Sequence, residues 1–247
     1  MISFFKAPAQ TVKDIVITKK LFSEQMRMTS AEKRLLKDDI HSITMRMVLQ
    51  PQTIGLQAYE TDEYQYHQIV VSEVCIRKLT NFAAIAALLQ RAFPYPLILL
   101  LECEGQYKIN WADKRINQAD KSKRVVENME FTRWMDTATP DKITEDFCRS
   151  LDVTRGSFLN LKDLFDTLKS RFFMLAIADE TGCFKEAESN SMEHYRATMT
   201  ALQNNRNEQD AVMKSLKTET HFNEKLKLTE QLKQLQVKEK ELKEGLN

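Results

Sequence analysis

Apolar positions recur along this chain with two different periods, and the change from one to the other divides it. Residues Thr29 to Ser42 open with Thr29-Ser30-Ala31-Glu32, where Thr29 is placed to cap a helix and Glu32 to return the bond from the third helical position. Leu35, Leu36 and Ile40 follow at helical spacing among charged neighbours, which predicts an amphipathic helix. Ile43 to Leu49 then alternates Ile43, Met45, Met47 and Leu49 with Thr44, Arg46 and Val48, the period of a half-buried strand, and Pro51 ends it. Gln68 to Ile76 is rich in β-branched residues on both faces, which predicts a strand inside the sheet. Phe82 to Phe93 is an alanine- and leucine-rich helix closed by Pro94 and Pro96. Leu97 to Leu101 is apolar on both faces and so central, and Gly105-Gln106 turns the chain into a strand carrying Tyr107, Ile109 and Trp111. A further strand is predicted over Met129 to Met135. The expectation is an α+β domain over residues 1–140, with a mixed or antiparallel sheet covered by helices.

After Thr139-Pro140-Asp141 the strand signals stop, and residues 141–247 read as a helical region. Asn160 to Ile177 places Leu161, Leu164, Phe165, Leu168, Phe172 and Leu175 on one helical face, a broad stripe that must be covered. Glu193 to Lys217 and His221 to Leu246 continue as polar helices. In the last of them Leu228, Leu232, Leu235, Leu242 and Leu246 step by four and three, with Glu239 at a core position of that register. Two arrangements use such a stripe: a short coiled coil through which copies of the chain assemble, and a helical hairpin folded back on its own chain.

Composition fits this division. Hydrophobic residues at 43% and charged residues at 29% support a real core, and only five glycines and five prolines favour long helices over an all-strand sandwich. The net charge of +1 exerts no global pull on nucleic acid or an anionic membrane, so binding of either needs a local patch. Cys75, Cys103, Cys148 and Cys183 lie far apart without a C-x-x-C pair, and Met1 to Phe5 has no secretory pattern. Reduced thiols in the cytoplasm are therefore expected. The apolar run Leu97 to Leu101 is far short of the roughly 20 residues that cross a bilayer, so no membrane span is expected.

The chemistry-bearing motifs are mostly missing. Gly55, Gly105, Gly156, Gly182 and Gly245 assemble neither a P-loop nor a dinucleotide-binding turn. His41, His67, His194 and His221 are scattered, without the spacing of a zinc site, and there is no G-x-S-x-G elbow. No catalytic residue, metal ligand or cofactor is assigned on these grounds. A divergent metal-dependent nuclease would need a strand-borne acid and an acidic-x-lysine triplet, and the only such triplet, Glu241-Leu242-Lys243, falls in the last helix. In that alternative Glu73, Glu102 or Glu104 would work with Lys108 across the hairpin. The stronger local signal is basic. Lys108, Lys114, Arg115, Lys121, Lys123 and Arg124 are opposed only by Asp113 and Asp120, with Tyr107 and Trp111 interleaved. Such a segment can meet a phosphate backbone and offer stacking surface. The bland reading is a solvated loop after a hairpin whose Tyr107, Ile109 and Trp111 form its core face.

Several phrases add what periodicity does not. Lys19-Lys20-Leu21-Phe22, Leu35-Leu36-Lys37-Asp38-Asp39-Ile40 and Ile43-Thr44-Met45 resemble the opening of the bacterial family known as domain of unknown function 4391. Leu49-Gln50-Pro51-Gln52-Thr53-Ile54, Ala92-Phe93-Pro94-Tyr95-Pro96-Leu97 and Asn223-Glu224-Lys225 carry the same resemblance over most of the chain. It implies an intracellular prokaryotic protein, often encoded beside helicases and DNA methyltransferases in restriction-like or phage-defence loci, and it brings no catalytic residues with it. The expectation is a non-catalytic accessory or interaction subunit of a nucleic-acid-processing system, with helicase or methyltransferase subunits or DNA as partners. A self-assembling coiled-coil protein is the third reading.

Overall fold

The two most apolar stretches of the chain lie side by side. Ile69–Ile76 and Leu97–Cys103 pair in parallel, Val70 opposite Leu97 and Cys75 opposite Glu102, and Leu97 to Leu101 are wholly buried. Parallel neighbours need a crossover, and the helix Phe82–Ala92 supplies it. The computed structural model describes residues 1–186 and 191–246, and the chain divides into two compact units, Met1–Phe173 and Met174–Asn247.

The first unit begins with strand β1 (Val12–Val16), helices α1 (Lys19–Gln25) and α2 (Ser30–Arg34), strand β2 (Ile40–Leu49) and the single turn α3 (Pro51–Ile54). A short hairpin of β3 (Tyr59–Glu60) and β4 (Gln65–Tyr66) precedes β5 (Ile69–Ile76), α4 (Phe82–Ala92) and β6 (Leu97–Cys103). Then follow β7 (Gln106–Ile116), β8 (Arg124–Phe131), β9 (Met135–Asp136), α5 (Lys142–Ser150) and α6 (Leu161–Thr181), whose last turns belong to the second unit. The main sheet runs β1-β2-β5-β6-β7-β8 with β9 beside β7. Every pairing in it is antiparallel except β5 with β6. The fold is the α+β class with a mixed sheet.

One face of the sheet carries Val70, Val74, Leu97, Leu99 and Leu101 and packs on Ile85, Leu88 and Leu89 of α4. The other face is covered by α5 and α6: Phe172 sits 5.0 Å from the Trp111 ring and 6.3 Å from Phe147. Phe165 sits 5.7 Å from Tyr66. The stripe read over Leu161 to Phe172 thus covers the sheet.

Several boundaries differ from those expected. The capping box at Thr29 forms, but α2 ends at Arg34, a π turn follows over Leu35–Asp39, and Ile40 already belongs to β2, opposite Ile76. Burial of Ile40 in the sheet overrides its helical spacing. Along β2 the register shifts between Met45 and Met47. Ile43 and Val48 therefore both reach the α4 side, where strict alternation would separate them. The strand expected from Met129 starts at Arg124, and β1 and α1, which have no clear period, form the near edge of the sheet and its flank.

The second unit holds the end of α6 with α7 (Met192–Thr218) and α8 (Phe222–Glu244), which pack against each other as a hairpin. Leu235 and Leu246 are buried, and Leu228, Leu232 and Leu242 half-buried. Glu239, within the same stripe, accepts from Arg206 Nε at 3.0 Å and Gln209 Nε2 at 2.8 Å on α7. The leucine stripe thus closes a hairpin within one chain. Among the described residues no helix is long and apolar enough to cross a membrane.

Candidate nucleic-acid interface

Alternation along β7 sends Tyr107 and Lys108 to opposite faces of the sheet, Trp111 and Lys114 are buried, and Tyr107, Lys108 and Arg115 are half-buried. Trp111 is 2% exposed, against Phe172. Tyr107 is half-buried; its hydroxyl donates to Glu73 Oε1 at 3.1 Å, and burial together with the Glu73 charge pushes it up to about 12. Neither ring is a free stacking platform. On the α4 side, Lys108 Nζ donates to the Thr132 carbonyl at 2.8 Å and stands 4.7 Å from the centre of the Phe82 ring. Lys114 is 4% exposed, donates to the Phe93 carbonyl at 2.6 Å, and is pushed down to about 7 by burial. Arg115 donates to Glu127 Oε1 at 3.1 Å. These five residues serve the fold, and the continuous basic patch read along the chain does not form.

Lys121, Lys123 and Arg124 do reach the surface, at the turn from β7 into β8. Lys121 and Lys123 are exposed, Lys123 pairing with Asp120 at 2.7 Å. Arg124 is oriented by Gln65 Oε1 at 2.6 Å and by the carbonyls of Lys121 and Lys123. Lys123 and Arg124 stand on the rim of a cleft of about 890 Å³ beside α4. Ile15 and Val16 of β1 form one wall, Leu21, Phe22 and Met26 of α1 and the linker after it a second, and Phe93 to Tyr95 a third. Ile15 and Val16 are 53% and 67% exposed, an unusual amount of open apolar surface for a sheet edge.

The charges of this cleft have one sign. Arg27, Arg91, Lys123 and Arg124 line it, and no carboxylate does. Arg91 is held at 2.5 Å by Glu32, whose carboxyl that contact keeps below its usual range. Among the described residues Arg27 forms no ion pair. A second hollow of about 390 Å³ is lined by Lys19, Lys20, Lys33 and Lys37 with Met28 and Leu36. Apolar walls interspersed with cations suit a ligand whose anionic groups are strung along a flat or apolar body. Arg27, Arg91 and Tyr95 were not among the candidates read from sequence. The signal for Tyr95 was the run Pro94-Tyr95-Pro96, in which two fixed φ angles hold an aromatic rigidly between a helix end and a strand.

The acidic residues of the nuclease alternative are not brought to Lys108. Glu73 is 8% exposed and engaged by the Arg46 guanidinium and Tyr107. Glu102 accepts from the Gly105 amide at 3.0 Å. Glu102 lies opposite Tyr107 and Leu101 opposite Lys108, so Glu102 and Lys108 project from opposite faces of the sheet. Glu104 is at the turn with φ 52. Strand alternation puts Lys108 on the face opposite Glu73 and Glu102, and among the described residues no group of three or more His, Cys, Asp or Glu side chains is arranged to hold a metal ion.

A family model described as a domain of unknown function, DUF4391, matches residues 5–238. The chain belongs to the DUF4391 family. The match spans the whole main sheet of this DUF4391 protein and most of its hairpin. No curated protein and no solved structure shows a significant match to it.

Proposed function

We propose that this DUF4391 protein is a non-catalytic accessory subunit of a nucleic-acid-processing system, restriction-like or phage-defence in kind, and that it engages nucleic acid through the cleft beside α4. The observation that carries this reading is the charge of the cleft: four cations and no carboxylate line it in a chain whose net charge is only +1. Lysines and arginines gathered at one place attract a phosphate backbone where a balanced surface does not. Helicase or DNA methyltransferase subunits are the partners this role calls for, and the hairpin of the second unit is a surface on which such a partner can assemble.

The test is fluorescence anisotropy of a labelled DNA oligonucleotide with the full chain across a salt series. Affinity is expected to fall steeply with salt, and the slope is expected to flatten when Arg27, Lys123 and Arg124 are changed to glutamine. Absence of binding at low salt, or binding indifferent to those three substitutions, refutes the assignment to this cleft.

A further inference from the structure

Resting on that reading, we infer that the cleft takes a single strand and not a duplex, with a base seated on Tyr95 and the flanking phosphates on the rim cations. The cleft encloses about 890 Å³, and its apolar walls include Ile15, Val16, Met26, Phe93 and Tyr95. A duplex keeps its base faces stacked inside and presents phosphates and groove edges, and reading those edges requires an element that protrudes into a groove. Here the cations surround a hollow. Only unstacked bases can fill an apolar hollow while their phosphates stay at its rim.

Tyr95 has the properties of a stacking platform. It is half-buried, its ring centre 6.3 Å from that of Phe93, which supports it from below. The neighbouring backbone is tied to the sheet, since the Pro96 carbonyl accepts from the Val70 amide at 3.0 Å. A ring fixed this way loses little freedom when a base stacks on it. Arg124 and Arg27 reach the cleft from different elements, the first from the start of β8 and the second from the linker after α1. An acidic peptide shares the charge of a nucleic acid but lacks the flat faces that suit Tyr95.

The experiment uses the full chain and three probes at one salt concentration: labelled oligothymidylate, a blunt duplex of the same length, and an oligoglutamate peptide as competitor. Oligothymidylate is expected to bind at least about ten-fold more tightly than the duplex. Tyr95→Ala is expected to lower oligothymidylate affinity about ten-fold, leave duplex affinity unchanged, and be rescued by Tyr95→Phe. Thermal unfolding of each variant separates lost stacking from lost folding, and Tyr95→Phe keeps the test decisive if the alanine variant fails to fold. Equal or tighter duplex binding that still depends on Arg124 overturns the single-strand inference and leaves the accessory role standing. No binding of either nucleic acid, or displacement by oligoglutamate at matched charge, overturns both.

Discussion

Arg206 on α7 and Glu239 on α8 form an ion pair at 3.0 Å inside the leucine stripe that closes the hairpin. The same guanidinium reaches Glu180 at 2.7 Å, so one cation satisfies two carboxylates. Removing it with Arg206→Met takes the guanidinium from both, leaving Lys243 to Glu180 and Gln209 with Lys243 to Glu239, and is expected to cost about 1–2 kcal/mol in urea unfolding of the full chain. Glu239→Leu, which completes the stripe and leaves Arg206 to Glu180, is expected to change stability by less than about 1 kcal/mol. Arg206 holds Glu180 below the usual carboxylate range, and Gln209 with Arg206 does the same for Glu239. Their contribution is present above the unfolded carboxylate value and is lost as pH falls through the folded one. A neutral Arg206→Met would mean that the guanidinium adds nothing to the hairpin beyond its leucines, Gln209 and Lys243.

Lys114 gives stability a pH dependence of the same sign, in a higher pH range. Its ammonium is pushed down to about 7 from an ordinary 10.5, so between those values the unfolded chain binds the proton that the folded chain has released. Stability is lowest below about 7 and rises with pH toward 10.5, by at most about 1.4 kcal/mol per pH unit. Lys114→Met removes this slope. Urea unfolding of both proteins at pH 7 and at pH 9 should show the parent gaining on the variant, and a constant difference would contradict the burial of an uncharged lysine.

Glu73 anchors three strands at once, accepting from Arg46 on β2 and Tyr107 on β7 while lying on β5. Glu73→Ala is expected to destabilise the first unit by about 2–4 kcal/mol, because a partly buried guanidinium and a phenol lose their acceptor. Arg46 retains Asp14 at 2.9 Å, which tempers the loss. The Tyr107 hydroxyl should then titrate at a lower pH in an absorbance titration, though still above its ordinary value, because burial is the larger cause of its shift. An unchanged tyrosine profile would show that Glu73 is not its partner.

Lys108 distinguishes a patch read along the chain from one assembled in space. Lys108→Met removes the bond to the Thr132 carbonyl and the contact over Phe82. It is expected to lower stability by about 1–2 kcal/mol. Oligonucleotide affinity should not move, whereas Arg124→Gln should lower it with little effect on folding. Equal effects of the two substitutions on affinity would restore the linear segment as the binding surface.

Much of the architecture was legible because each signal rested on a local period. Leu97 to Leu101 could only be central, the Thr29 and Glu32 box marked a helix start, and Glu104-Gly105 turn with φ 52 and 81 between β6 and β7 where a hairpin was expected. The site was much less legible. Lys108, Lys114, Tyr107 and Trp111 look alike as neighbours of Lys121 and Arg124, and only the burial of β7 on both faces separates them.

The sequence by itself determined the alternation of elements, the apolar centre of the sheet, the helical C-terminal region and the family, because these depend on spacings of two to four residues or on phrases matched in order. Tertiary structure decided which cations remain free, where Ile40 and Val48 point, how Glu239 is satisfied, and that Arg27, Arg91, Tyr95 and Arg124 share one cleft. Those four residues span Arg27 to Arg124 along the chain, and they meet only because α1, the end of α4 and the β7–β8 turn come together beside the sheet. Proximity of that kind leaves no local period to read, since it follows from how apolar faces are buried and not from the order of the residues that surround them.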